Sequence, residues 1–111
     1  MDDEAEQFAG TMAGLSRAIE WVRIHLAGFT QLFTITSSPG LPVEISFGCM
    51  FGDAKQRREE IEKLFSGRNV TRTTCGTDLR YSLFDEEWQI AFRWHVYGST
   101  VTTQYTEAIT L

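Results

Sequence analysis

Residues 88–103, "WQIAFRWHVYGSTVTT", alternate strictly between large apolar and mostly polar side chains. In an extended chain, this period of two sends successive side chains to opposite sides of a β-strand. The large apolar residues of the predicted strand share one side, and they are Trp88, Ile90, Phe92, Trp94 and Val96. That side must be buried. The other side carries Gln89, Arg93, His95 and Tyr97, and it is a candidate binding surface.

The chain has 111 residues, of which 42% are hydrophobic and 13% aromatic. This is enough for a single domain over residues 1–111 with its own core, but not for two domains. The net charge of −5 argues against direct nucleic-acid binding, because phosphate contacts need clustered positive charge. No apolar run approaches the ~20 residues of a membrane-spanning helix. The acidic start "MDDEAEQ" is unlike a secretory signal, so we expect a cytoplasmic protein, in its own cell or in a host cell.

The first helix is predicted over about residues 5–27, where apolar residues recur in steps of four and three. They are Phe8, Met12, Leu15, Ile19, Val22 and Leu26. This spacing fits a coiled-coil seam as well as a long helix lying on a sheet, and we favour packing on the sheet. Gly10 and Gly14 could let another backbone approach closely, and Gly28 is a helix-ending residue.

A β-hairpin and a second helix are predicted next. The strands span about residues 29–36 and 43–50, with Pro39-Gly40 in a type II turn. Asp53 is the expected N-cap of the second helix, with Gln56 completing a capping box, and Gly67 ends the helix.

The remaining chain is predicted to be a meander with turns at residues 76–78, 84–87 and 98–99. A three-residue first turn pairs Thr73 with Tyr81. The predicted fold class is therefore α+β, in the order α-β-β-α-β-β-β-β. Two helices pack on one face of an antiparallel sheet of about five or six strands.

This order of helix, hairpin, helix and meander resembles the roadblock and profilin-like α+β domains. The segment "GLPVEIS", residues 40–46, is similar to the second strand of roadblock-type modules. The closing C-terminal helix typical of that family has no counterpart in this sequence, so the resemblance implies no functional residue.

The outer side of the meander carries the candidate binding residues Arg72, Arg80, Arg93, His95 and Tyr97. Guanidinium groups on one face could grip a carboxylate or a phosphate. An exposed sheet face is also often merely solvated, and an open face suits a protein partner better than a small ligand. His95 is the only candidate general base, and no motif completes a catalytic mechanism.

Trp21, together with Phe51 and Phe84, is a second candidate, as an exposed aromatic anchor for a partner. Cys49 and Cys75 are expected to be free thiols. A zinc site that combines them with His25 and His95 lacks ligand spacing, and the predicted strands place Cys75 and His95 on opposite faces. We expect neither a metal nor another cofactor.

Two functional hypotheses remain. The first is a non-enzymatic protein-binding module: a small acidic inhibitor, an immunity protein or an accessory protein, of the kind that phages and other mobile elements encode. Its partner would be a protein, and a homodimer is also expected. The alternative is a small-ligand or anion-binding domain that uses the arginine-bearing outer face and could be hydrolytic.

Overall fold

The computed structural model describes residues 2–28, 33–49, 54–75, 78–96 and 105–111. Its elements are α1 (Asp2–His25), β1 (Phe33–Thr36), β2 (Val43–Cys49), α2 (Ala54–Leu64), β3 (Asn69–Cys75), β4 (Asp78–Asp85), β5 (Ile90–Val96) and β6 (Tyr105–Thr110). This is the predicted order, and the α+β fold class with its six strands is confirmed.

The strands form one sheet in the order β1-β2-β5-β4-β3-β6. The sheet is mixed, so the prediction of a wholly antiparallel sheet is wrong, although β3 pairs antiparallel with both β4 and β6. The predicted third hairpin would place the last strand beside β5. That position belongs to β2, and β6 instead pairs with the open edge of β3. The predicted turn at residues 98–99 lies outside the described residues.

Two compact units divide the chain: residues 1–46 with 84–92, and residues 47–83 with 93–111. The core of the first unit contains Ala18, Trp21, Leu26, Val43, Ile45, Ile90 and Phe92. The core of the second contains Phe47, Ile61, Phe65, Val70, Leu79, Tyr81, Leu83, Trp94 and Val96. That residues 1–111 fold as a single domain stays a prediction.

Glycine forms the turn and ends the helices as predicted. Gly40 has a φ of 78°, and the Leu41 amide donates to the Ser38 carbonyl at 3.1 Å, which confirms the type II turn at Pro39-Gly40. Gly28 and Gly67 have φ values of 82° and 81° just after the two helices. The predicted N-cap Asp53 lies outside the described residues.

The pairing of β3 with β4 differs from the prediction by one residue. Thr74 lies opposite Leu79 and Arg72 opposite Tyr81, so only residues 76 and 77 connect the strands. Because side chains alternate, this shift moves every β3 side chain to the other face. The observed pairing buries Val70, which the predicted pairing would have exposed. The burial of Val70 therefore explains why the observed pairing of β3 with β4 differs from the predicted one.

The turn between β4 and β5 lies at residues 86–89 rather than 84–87. Trp88 is therefore half-buried within the turn, where its amide donates to Asp85 Oδ1 at 2.9 Å. A shift of two residues preserves the alternation, and the predicted buried side of β5 is confirmed for Ile90, Phe92, Trp94 and Val96.

Helix α1 turns a different side inward from the one predicted. Ala18 and Trp21 are buried. Of the predicted stripe, Met12 and Ile19 are 48% and 59% exposed, Leu15 and Val22 are half-buried, and Leu26 is buried. Gly14 explains the rotation, because a Cβ on it would lie 3.3 Å from Val43 Cβ. The helix thus approaches β2 closely at Gly14, as predicted, whereas a Cβ on Gly10 would meet nothing within 4 Å, so the predicted close approach at Gly10 is wrong.

Candidate functional site

The candidate site lies on the exposed side of β4 and β5. Buried Tyr81 and Trp94 stack with a ring separation of 5.2 Å, which fixes the inner side of both strands. The intervening positions face outward, and there Arg80 and Arg93 are exposed while His95 is half-buried. We call Asp78, Arg80, Arg93 and His95 the outer-face cluster. The predicted residues Arg80, Arg93 and His95 therefore do come together, within the second unit.

The environment of His95 keeps its imidazole neutral. Burial lowers the pKa of His95 below 6.5, the positive charges of Arg80 and Arg93 lower it further, and Asp78 opposes them. At neutral pH the cluster therefore holds two guanidinium charges and one carboxylate. Among the described residues, no hydrogen bond or ion pair engages the Arg80 guanidinium, which leaves its donors directed to solvent or to a ligand.

Such a cluster can bind anionic oxygen atoms. The planar guanidinium group presents paired N–H donors that match a carboxylate or a phosphate. A bound anion would raise the pKa of His95, because a negative charge stabilises the imidazolium ion. Binding of an anion and protonation of His95 are therefore coupled.

Arg72 does not belong to the cluster, contrary to the prediction. The corrected pairing places it on the inner side opposite Tyr81. Arg72 Nε donates to Glu107 Oε1 at 2.8 Å, and the two side chains are only 26% and 35% exposed. Glu107 raises the pKa of Arg72, and Tyr81 adds to that effect. Arg72 is thus a structural cation that joins β3 to β6.

Trp21 is a core residue rather than an exposed anchor, so this prediction is wrong as well. Trp21 is 4% exposed. Its ring stacks on the His25 ring and contacts the Phe92 ring, with ring centroids 4.6 Å apart in both pairs. The small residues Gly14 and Ala18 bring α1 close enough for the indole to be buried. Of the other proposed anchors, Phe84 is 42% exposed. Phe51 and the candidate Tyr97 lie outside the described residues.

An aromatic stack on the inner side was not foreseen. The Phe65 and Trp94 rings stack with their centroids 5.3 Å apart and an interplanar angle of 7°. The Trp94 and Tyr81 rings stack with their centroids 5.2 Å apart and an interplanar angle of 5°. The Arg58 guanidinium lies 5.6 Å from the centre of the Tyr81 ring. The sequence did contain a signal, since Arg58, Ile61 and Phe65 recur at three and four residues and so share one helical side.

Within the described part of the chain, several polar atoms buried on this inner side have no hydrogen-bond partner of normal geometry. They are Thr74 Oγ1, Tyr81 Oη and Trp94 Nε1. A buried polar atom left without a partner costs about 1–3 kcal/mol, and the neighbouring Arg72 offsets part of this cost for Tyr81 Oη. A separate surface depression of about 320 Å³ lies in the second unit. It is lined by Glu59, Glu62, Lys63, Ser66 and Leu111. None of its lining residues belongs to the outer-face cluster.

Among the residues that the structure describes, no three His, Cys, Asp or Glu side chains group as metal ligands. Neither described helix combines the length and apolar content needed to cross a bilayer. Comparison with protein-family models, with curated proteins and with solved structures finds no match to this chain.

Proposed function

We propose that this chain is a non-enzymatic protein-binding module, acting as an inhibitor or accessory protein in the cytoplasm of its own cell or of a host cell. Its docking surface is the outer-face cluster, and its partner presents carboxylates to that surface. The observation that carries the proposal is the placement of exposed Arg80 and Arg93 beside half-buried His95 on one side of β4 and β5.

The exposure of these side chains favours a protein over a small ligand. Small-molecule sites are concave and bury most of the ligand, whereas Arg80 and Arg93 stand exposed on alternating strand positions. A protein surface can cover both guanidinium groups at once. Arginine is also enriched at protein interfaces, where its long apolar stem adds contact area.

The charge of the whole chain supports a defined docking orientation. At a net charge of −5, most of the surface repels an acidic partner. The two arginines of the outer-face cluster provide a local positive region, so an approaching carboxylate-rich surface is attracted to one face only. Such complementarity contributes to orientation and association rate more than to affinity alone.

The test is affinity capture with chemical cross-linking and mass spectrometry, using the tagged chain in its cell of origin. The double variant Arg80→Glu/Arg93→Glu should lose the partner that the unmodified chain captures. Arg57→Glu/Lys63→Glu on α2 changes the net charge equally and should retain it. Reversal of interfacial charges can weaken binding by several kcal/mol, whereas exposed strand positions change stability by within about 0.5 kcal/mol.

Retention of the partner by Arg80→Glu/Arg93→Glu would contradict docking through this cluster. A small-anion site is distinguished by isothermal titration with citrate and with inorganic phosphate. Micromolar binding of either anion that disappears in the double variant would replace the docking proposal. His95→Ala separates catalysis from docking, since it would abolish a hydrolytic rate but weaken docking only slightly.

A further inference from the structure

Arg80 and His95 lie opposite each other on the outer side of the sheet. The short turn at residues 86–89 joins neighbouring strands, so β4 and β5 are antiparallel. The stacked rings of Tyr81 and Trp94 form an opposed pair on the inner side. The next pair along this ladder is Arg80 with His95, on the outer side. Side chains directly opposite each other have Cβ atoms about 4.5–5.5 Å apart, which is close enough for their charges to interact.

Three neighbouring charges act on His95. Arg80 and Asp78 lie on the outer side of β4, and Arg93 lies on the same side of β5 as the imidazole. The other neighbour of β5 is β2, and among the described residues its one charged side chain, Glu44, does not contribute to the pKa of His95. Burial and the two arginines outweigh the carboxylate, so they disfavour a proton on His95.

A docked carboxylate reverses this balance. Arg80 is exposed, and within the described part of the chain its guanidinium makes no hydrogen bond or ion pair, so it can receive a carboxylate of the partner. That carboxylate adds a negative charge beside the imidazole opposite. A negative charge favours the protonated ring through space, so the carboxylate need not touch the buried Nε2 atom of His95.

We propose that docking of a carboxylate on Arg80 is coupled to uptake of a proton by His95, so that the outer-face cluster binds an acidic partner more tightly as the pH falls. This inference rests on the proposed docking function and adds its regulation. The coupling is reciprocal, because a ligand that favours the protonated ring also binds more tightly to it.

The direction of the pH dependence follows from two pKa values of His95. Without a ligand the pKa lies below the ordinary 6.5, and a docked carboxylate raises it. Affinity should therefore rise as the pH falls between the pKa of the complex and that of the free chain. It should become constant below the lower of these values, where the imidazole is protonated in both states.

Isothermal titration of the full chain with a short synthetic polyaspartate peptide, at constant ionic strength, tests the coupling. The peptide remains largely ionised above about pH 5, since the ordinary pKa of aspartate is about 3.9. Binding should be at least about threefold tighter at about pH 5.5 than at about pH 7.5. The gain should not exceed about tenfold per pH unit, because one imidazole takes up at most one proton.

The two histidines of the chain provide a matched pair of variants. His95→Gln should remove the pH dependence, because position 95 can then take up no proton. His25→Gln makes the same change on α1, in the first unit, and should retain the pH dependence. Arg80→Glu/Arg93→Glu should not bind the peptide at either pH. Circular dichroism melting confirms that each variant is folded.

Equal affinity at the two pH values, with binding lost in Arg80→Glu/Arg93→Glu, would overturn the proton coupling but not docking through the cluster. Absence of peptide binding at both pH values would also overturn the coupling, and partner capture by the double variant then tests docking separately. A pH dependence that persists in His95→Gln, or that disappears in His25→Gln, would assign the proton to another group and overturn the proposal.

NMR titration of the imidazole provides a second reading. In His25→Gln the ring of His95 is the only imidazole of the chain, so its signals need no further assignment. Saturating polyaspartate should raise the pKa of His95. Adding Arg80→Glu should raise it without any peptide, because a neighbouring positive charge is replaced by a negative one. A pKa that changes in neither experiment would overturn the coupling.

Discussion

Thr74 lies opposite Leu79 on the ladder between β3 and β4, and its fully buried hydroxyl has no hydrogen-bond partner among the described residues. Its neighbour Thr73 faces the other way and shares a hydrogen bond of 3.2 Å with the hydroxyl of Thr106. Two adjacent threonines therefore differ in burial and in hydrogen bonding, which makes them a direct probe of the strand pairing.

Thr74→Val should raise the free energy of unfolding by about 1 kcal/mol, because it replaces an unsatisfied buried hydroxyl by a methyl group of similar size. Thr73→Val should bring no such gain, since it removes a hydrogen bond at a partly exposed position. Urea denaturation measures both. A gain at position 73 and a loss at position 74 would favour the pairing originally predicted from the sequence.

Phe92→Ala should lower the free energy of unfolding by about 3–5 kcal/mol, since the ring is fully buried and its removal leaves a cavity. Phe84→Ala removes the same atoms from a residue that is 42% exposed and should cost much less. Thermal and urea denaturation compare the two variants. Equal losses would show that β5 is not the core strand described above.

The two glycines of α1 should respond differently to alanine. Gly10→Ala should stabilise the protein by up to about 1 kcal/mol, because alanine favours helix and the new Cβ meets nothing within 4 Å. At Gly14 the new Cβ lies 3.3 Å from Val43 Cβ, so crowding offsets the gain. Urea denaturation should rank Gly10→Ala above Gly14→Ala, and the reverse ranking would refute the close approach of α1 to β2.

Stability should depend on pH through His95. Its pKa is lower in the folded chain than the ordinary 6.5, so between these two values the unfolded chain binds more protons. The resulting contribution to stability is fully present above about pH 6.5. It is lost as the pH falls through the pKa that His95 has in the folded chain. Relative to His95→Gln, the unmodified protein should lose additional stability as the pH falls from neutral through 6.5 and below. Parallel pH profiles for the two proteins would contradict a lowered pKa.

Short sequence patterns predicted most of the fold, because each pattern reflects what its own segment of chain needs and does not depend on distant residues. The alternation from Ile90 to Val96 identifies the buried side of β5 whatever the neighbouring strands are. Pro39-Gly40 defines its turn by backbone conformation alone. The order of helices and strands could be predicted in this way, although β6 begins at Tyr105, after the strand predicted to follow the turn at residues 98–99.

Strand partners and helix rotation could not be predicted, because they depend on distant residues. The face on which Arg72 lies is decided by the burial of Val70 and by the number of residues in a neighbouring turn. The side of α1 that packs inward is decided by how closely Gly14 approaches Val43, a residue of another element. Two of the six candidate binding residues, Arg72 and Trp21, were misplaced for these reasons.

The pairing of β6 with β3 also determines how the chain folds. The β3–β4 and β4–β5 turns join neighbouring segments and can close quickly, whereas the Arg72–Glu107 contact joins residues 35 positions apart. Docking of β6 should therefore be a late and slow kinetic step. Until it occurs, the backbone donors and acceptors of β3 remain available to other molecules. Refolding yield should accordingly fall as the protein concentration rises, with intermolecular strand pairing at β3 as the competing reaction.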